Sequence, residues 1–187
     1  FRVSVAAIPG HPLLPFLDYP NETTHYGPLW IVMAVVLRLV AGPGLLPALI
    51  VFKVAAVVFL AGVAWLVYLT ARATRPEAAI PAALLVAWNP LLILELAQNA
   101  HNDVAMMLFI ALAFYLQSSG KARGAIAALL AACLVKYVAT VLIPLFLLVD
   151  LHDAGTWRRW IVSTARDVAA VAAFGAALTW LVGFEGS

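Results

Sequence analysis

Charge is scarce in this chain: 11 Lys and Arg and 9 Asp and Glu are spread over 187 residues, 11% in all, against roughly 25% in an ordinary soluble domain. Cysteine is scarcer. Cys133 is the single one, which excludes an internal disulfide and leaves it to act as a small buried hydrophobe in an apolar run. The sequence has no Gly-rich phosphate loop, no G-x-S-x-G elbow and no Cys pair. It also lacks an internal repeat and a low-complexity tract, and its basic residues are scattered rather than gathered into a patch, so no nucleic-acid partner is expected. The chain opens on Phe1 without an initiator Met or a charged segment ahead of an apolar one, so no signal peptide is visible and it reads as an internal fragment of a longer protein.

What fills the chain instead is apolar residues, 65% of the total, giving a mean hydropathy of +1.03. The class that follows is an integral membrane protein, all-α, built as a polytopic transmembrane helical bundle in a single domain, 1–187. The segment 46–70 carries one charge, Lys53, and is long enough at about 1.5 Å per residue to cross a hydrocarbon core of about 30 Å. Segments 78–97, with only Glu95, and 160–183, with Arg166 and Asp167 near its start, are also long enough. Segments 103–117, 122–134 and 137–150 fall short of the roughly 17 residues usually needed, which suggests half-spanning helices around a thinned or partly buried site.

The charges orient these segments. Arg72 and Arg75, then Lys121 and Arg123, then Arg158, Arg159 and Arg166 mark three loops, while the opposing loops hold only Arg2. The positive-inside rule places those three loops in the cytoplasm. Two of them flank 124–149, which requires an even number of passes and predicts a hairpin with Lys136 near its outer tip. The opening loop, 1–28, and the polar run from Gln98 to Asp103 then share the extracytoplasmic side. Segment 29–41, with Arg38 inside it and Gly42-Pro43-Gly44 behind it, is read as an interfacial helix, Trp30 at the headgroup level and Arg38 snorkelling outward.

The run Gln98-Asn99-Ala100-His101-Asn102-Asp103 interrupts two of the most hydrophobic stretches. Ionisable groups near membrane depth normally face a partner, a cavity or a substrate. Glu95, Asn99 and Asn102 are spaced i, i+4, i+7 and share a face if the helix continues that far; alternatively the asparagines only cap, with Asn102 or Asp103 as N-cap of the helix from Val104. Lys136 could hold a phosphate as a point charge, or it could snorkel or pair with Glu95. Lys53 and Arg38 can both simply reach a headgroup. His101 is read as a hydrogen-bonding residue, since His-x-Asp alone is a poor metal signature. Asn21-Glu22-Thr23 matches a glycosylation sequon, a signal too weak to build on.

Several stretches resemble a known family. Ala7-Ile8-Pro9, His11-Pro12-Leu13-Leu14-Pro15, Asp18-Tyr19-Pro20 and Tyr26-Gly27-Pro28-Leu29-Trp30 look like the first outer loop of bacterial polyprenol-phosphate-mannose-dependent mannosyltransferases, which are GT-C glycosyltransferases. Trp88-Asn89-Pro90-Leu91, His101-Asn102-Asp103 and Lys136 follow in that family's order. The resemblance implies a hexosyltransferase that moves a hexose, mannose in this family, from a polyprenyl-phosphate donor to a glycan or lipid acceptor with inversion. The work would be done on the extracytoplasmic face of a bacterial plasma membrane.

It also implies a carboxylate base in the first outer loop. In the family that aspartate follows the first transmembrane helix, so it is expected upstream of Phe1, and Asp18 matches a different position. By the same resemblance Lys136 would contact the lipid phosphate, and His101, Asn102 and Asp103 the donor sugar or phosphate. Tyr26 and Trp30 would shape the outer loop and sugar pocket, while Glu95 and Asn99 come from their spacing alone, as side chains that could converge on one ligand. Asn89 and Pro90 read as a helix break. The partners implied are membrane lipid, the lipid-linked sugar donor and the acceptor; a divalent metal is used by some GT-C enzymes and not by others. Two other readings compete: a transporter or channel with Glu95, Lys136 and Asp103 as an ion path, and a scaffold whose polar groups only hold helices together.

Overall fold

A computed structural model describes residues 21, 26–154 and 157–181. Most of the opening loop, with Asp18, its proline-rich motifs and Glu22 and Thr23 of the sequon, lies outside the described residues, as does the side chain of Gln98. The fold is all-α. Among the described residues seven α-helices follow in order: α1 (Pro28–Ala41), α2 (Leu45–Thr74), α3 (Ala79–Ala87), α4 (Asp103–Ser118), α5 (Ala122–Val135), α6 (Ile143–Ala154) and α7 (Trp157–Leu181). A π-helical stretch, Leu92–Gln98, precedes α4, and a 3-10 stretch, Tyr137–Leu142, precedes α6.

α1 starts with Pro28 in its first turn, where a missing N–H is no loss and the fixed φ suits a helix. It ends at Gly42, whose φ of +73° an L side chain rarely adopts. Arg38 turns back to donate from Nη2 to the Pro43 carbonyl at 3.0 Å, so its charge tethers this turn. α2 is 30 residues long and, among the described residues, the helix long and apolar enough to cross a membrane. Only 22% of its most apolar window is buried, and Leu46, Ile50, Val54, Val58 and Trp65 are exposed. An apolar face of this extent suits lipid better than water.

The expected helix over 78–97 is broken. α3 stops at Ala87, and Asn89 Oδ1 accepts hydrogen bonds from the backbone N–H of Leu91 at 2.9 Å and of Leu92 at 3.3 Å. Asn89 therefore caps a new helical segment with Pro90 in its first position. The cause is local: proline offers no N–H to the preceding turn and its ring clashes there. Beyond it the chain takes π geometry, with the Asn99 N–H bonding the Leu94 carbonyl at 3.1 Å.

α4 and α5 are joined by a tight turn with Gly120 at φ +70°. They pack through Ala113, Ala125 and Ala128, small residues that let the helices approach closely, with Leu129 buried among them. α2 joins them through Ala56 and Leu60, which bury with Leu96 and Val104. The segment 124–149 is not one helix. Lys136 is extended (φ −151°, ψ 123°) between α5 and the 3-10 stretch, and α6 returns along α5, with Phe146 buried among Ala125, Ala128 and Leu129. The chain doubles back at Lys136. Within the expected segment 137–150, residues 137–142 are 3-10 and only the remainder belongs to α6.

Candidate functional site

Because α4 and α5 run antiparallel, the first residue of α4 and the residue after α5 meet at one end of the helices. Lys136 Nζ donates to Asp103 Oδ1 at 2.7 Å, across 33 residues of sequence. The two side chains are 36% and 29% exposed, between the weak surface pair and the strongly coupled buried one. The expected alternative of a Lys136–Glu95 pair is not formed. Glu95 instead accepts from Asn99 Nδ2 at 3.4 Å and faces His101 Nε2 at 3.9 Å. Glu95 and Asn99 meet one π-helical turn apart.

Asn102 departs from both of its readings. It precedes Asp103 at the N-cap position but makes no side-chain capping bond. The helix that would have carried it on one face with Glu95 and Asn99 ends before it, at the kink of Ala100, whose φ is +55°. Its side chain is buried instead, and its amide nitrogen has no hydrogen-bond partner among the described residues. Its backbone carbonyl serves the helix, accepting from Ala105 N–H at 3.0 Å and Met106 N–H at 3.4 Å.

Beside the ion pair lies a cavity of about 160 Å³ lined by Tyr26, Trp30, Asn99, Ala100, His101 and Asn102. Trp30 is steadied by an edge contact with Phe52 of α2, ring centroids 6.4 Å apart. Tyr26 is held by the residue after it. The Gly27 N–H donates to the Val135 carbonyl at 3.0 Å, and a Cβ on Gly27 would overlap the Leu134 carbonyl. The Tyr-Gly-Pro step thus docks on the end of α5, immediately before Lys136. Among the described residues no three His, Cys, Asp or Glu side chains converge to hold a metal ion.

All eight residues singled out from the sequence are gathered at this end: Lys136 with Asp103, Glu95 with Asn99 and His101, and Tyr26, Trp30 and Asn102 around the cavity. The sequence reading passed over three others. Phe52 gave no signal in its apolar run. Gly27 was visible only as part of a motif. Ala100 carries the kink that presents His101 and Asn102, a left-handed conformation that costs a non-glycine residue about 1–2 kcal/mol. Ala100→Gly is expected to stabilise the protein by a few tenths to about 1 kcal/mol after the entropy of glycine is subtracted. A raised thermal midpoint in detergent checks this; a lowered one would mean the Ala100 methyl packs more than it strains.

The family described as "Alpha-(1->6)-mannopyranosyltransferase, N-terminal domain" matches residues 18–152, a span that contains every residue of the site. A curated relative, "Alpha-(1->6)-mannopyranosyltransferase A" of Corynebacterium glutamicum, is 24% identical over 153 residues, 81% of this chain and 31% of that protein. The chain thus spans about a third of its relative's length. No solved structure matches it. With α1 to α5 and its polar end inside the matched region, this chain belongs to the alpha-(1->6)-mannopyranosyltransferase N-terminal-domain family.

Proposed function

We propose that this chain is the donor-binding part of a membrane-embedded GT-C-type hexosyltransferase. In this reading the apolar helices form a polytopic bundle, and the end that carries Lys136 faces the extracytoplasmic side. The enzyme transfers a hexose, mannose by family, from a polyprenyl-phosphate carrier to a glycan or lipid acceptor. The observation that carries the reading is the pairing of Lys136 with Asp103 at 2.7 Å beside a cavity walled by Tyr26, Trp30, His101 and Asn102. A cation for a phosphate and an aromatic, hydrogen-bonding recess for a sugar stand next to each other.

The acceptor hydroxyl oxygen attacks the anomeric carbon of the hexose, the bond from that carbon to the phosphate oxygen breaks, and the electron pair leaves with the polyprenyl phosphate. Lys136 stabilises the charge that develops on that leaving phosphate. Asp103 holds the ammonium in place before the donor arrives. The hydroxyl proton passes to a carboxylate base. Asp103 is committed to Lys136 and Glu95 faces Asn99 and His101; following the family resemblance, we assign the base to an aspartate after the first transmembrane helix of the full-length protein.

The test is transfer itself. Full-length protein in proteoliposomes, given radiolabelled polyprenyl phosphomannose and a mannose-ended glycolipid, is expected to move label to the glycolipid. Label that stays on the donor, together with an ion flux across the vesicle, would replace the enzyme by the transporter reading.

A further inference from the structure

The end of the helices opposite Lys136 holds a second recess. Ala56 and Leu60 of α2 bury with Val104 at the start of α4, and Gly62 lies against Leu108. Further along, Val67, Thr70, Ala71 and Thr74 of α2 and Ala111 and Phe114 of α4 line a groove of about 340 Å³. Residue numbers rise together along the two helices, so α2 and α4 run parallel and finish at the same end.

The groove is apolar even at its threonines. Thr70 Oγ1 donates to the Leu66 carbonyl at 2.8 Å and Thr74 Oγ1 to the Thr70 carbonyl at 3.0 Å, so neither hydroxyl proton is left for a ligand. An unfilled groove forfeits packing contacts, and in a bilayer an acyl chain is at hand to supply them. Its α2 wall spans 67–74, about 10 Å of helix at 1.5 Å per residue. A further helix, about 10–12 Å across with its side chains, needs a longer and wider seat than this.

The charges at this end point to the kind of lipid. Arg72 lies in the last turn of α2 and Arg75 directly follows the groove residue Thr74. Lys121 is tied to the end of α4 by its N–H bond to the Leu116 carbonyl at 2.8 Å, and Arg123 follows. All four are exposed and form no ion pair among the described residues. Glu77 is the one acid in segments 70–80 and 117–125. Cations that are scattered along the sequence are thus gathered at one end by the parallel helices. Trp65 and Tyr68 stack on α2 just before the groove, ring centroids 5.3 Å apart, and such rings mark the headgroup level of a bilayer. The groove begins at that level, where the acyl chains of a phospholipid give way to its phosphate.

We propose that the groove between α2 and α4 binds an anionic phospholipid, one acyl chain lying between Ala71 and Ala111 and the phosphate held by Arg75 and Lys121. Arg72 and Arg123 add to the positive field. The proposal rests on the membrane-embedded part of the reading above and not on hexose transfer. Cations at this end also complement the carbonyl ends of α2 and α4, a role that involves no groove and predicts no lipid preference.

The experiment places the full-length protein in phosphatidylcholine nanodiscs that carry a trace of phosphatidylglycerol with a photoactivatable diazirine in its acyl chain. A parallel sample carries the same label on phosphatidylcholine, and cross-links are mapped by mass spectrometry. In segments 67–74 and 111–114 the phosphatidylglycerol label is expected at roughly tenfold the yield of the phosphatidylcholine label, each cation near a membrane surface contributing about fivefold before screening. On the exposed apolar face of segment 46–58 the ratio should be near one. Arg75→Gln with Lys121→Gln, both at exposed positions, is expected to bring the groove ratio below about threefold. Ala71→Phe, which fills the groove, should remove both labels from 111–114.

Equal labelling by the two lipids in the native protein, or a ratio that survives the glutamine pair, overturns the anionic site. Neither label in the groove means that another segment of the full-length protein or an acidic protein partner closes it, and this also overturns the proposal. Hexose transfer measured in the same nanodiscs then shows whether the enzyme reading stands by itself. Protein that stays outside the nanodiscs removes the membrane-embedded reading as well.

Discussion

Lys136→Ala in the full-length protein is expected to lower hexose transfer by roughly 10²- to 10³-fold in kcat, the loss that follows removal of one preorganised group facing developing transition-state charge. The lysine sits alone between two helical segments in an extended residue, and its position is fixed by the 2.7 Å bond to Asp103. The fold should survive its removal. A hydrogen bond to a charged group contributes about 1.5–3 kcal/mol, and with side chains 36% and 29% exposed this pair belongs toward the lower end of that range.

Asp103→Asn should cost less, roughly tenfold, because the ammonium remains and only its anchor is weakened. The double variant should be no worse than Lys136→Ala alone, since two groups acting as a unit do not add. Initial rates for the three variants, with membrane insertion checked in parallel, decide the matter. Transfer undiminished in Lys136→Ala would remove the lysine from the site, and additive losses would separate it from Asp103.

Gly27→Ala has the second large effect. The added methyl would run into the Leu134 carbonyl, which is backbone and cannot swing aside like a side chain end. Overpacking of this kind costs about 1–3 kcal/mol, and it strains the Gly27 N–H bond to Val135. The consequence reaches function through one residue, because Val135 leads directly into Lys136. Transfer is expected to fall at least about tenfold, in line with the sensitivity of catalysis to small misplacements, together with a lowered unfolding midpoint. Gly124→Ala is the control: its Cβ would meet the Leu116 side chain, nearest at Cδ1, 3.2 Å away, the end of a flexible side chain. If Gly27→Ala behaves like Gly124→Ala in both measurements, the docking of Tyr26-Gly27-Pro28 on α5 is not what holds Lys136.

Much of this end of the molecule was legible from the sequence, by local rules. The apolar run around Lys53 reads directly as α2, because length and hydropathy are properties of consecutive residues. Asn89-Pro90 reads as a break, and α3 does end there, yet the same sequence was also read as a single helix over 78–97. Run length overrode the proline in that reading, whereas in the structure the missing N–H and the Asn89 cap decide. The i, i+4, i+7 spacing of Glu95, Asn99 and Asn102 assumed continuous α-helix. A π-helical stretch and one left-handed residue, Ala100, put Asn102 elsewhere.

By itself, then, the sequence determined the all-α class, the apolar helix long enough to cross a membrane and the set of polar residues that had to be accounted for. Each of these follows from composition, period and the avoidance of unpaired charge in apolar surroundings. Only the tertiary structure decided which polar residue meets which. Lys136 takes Asp103 rather than Glu95 because antiparallel packing of α4 and α5 brings a helix start and a helix end together, and the small residues between them set how closely. The Asn102 Nδ2 is left without a partner among the described residues, and Gly27 is needed as a glycine, for the same reason. Both depend on what a third element places beside them, and spacing along one chain carries no record of that.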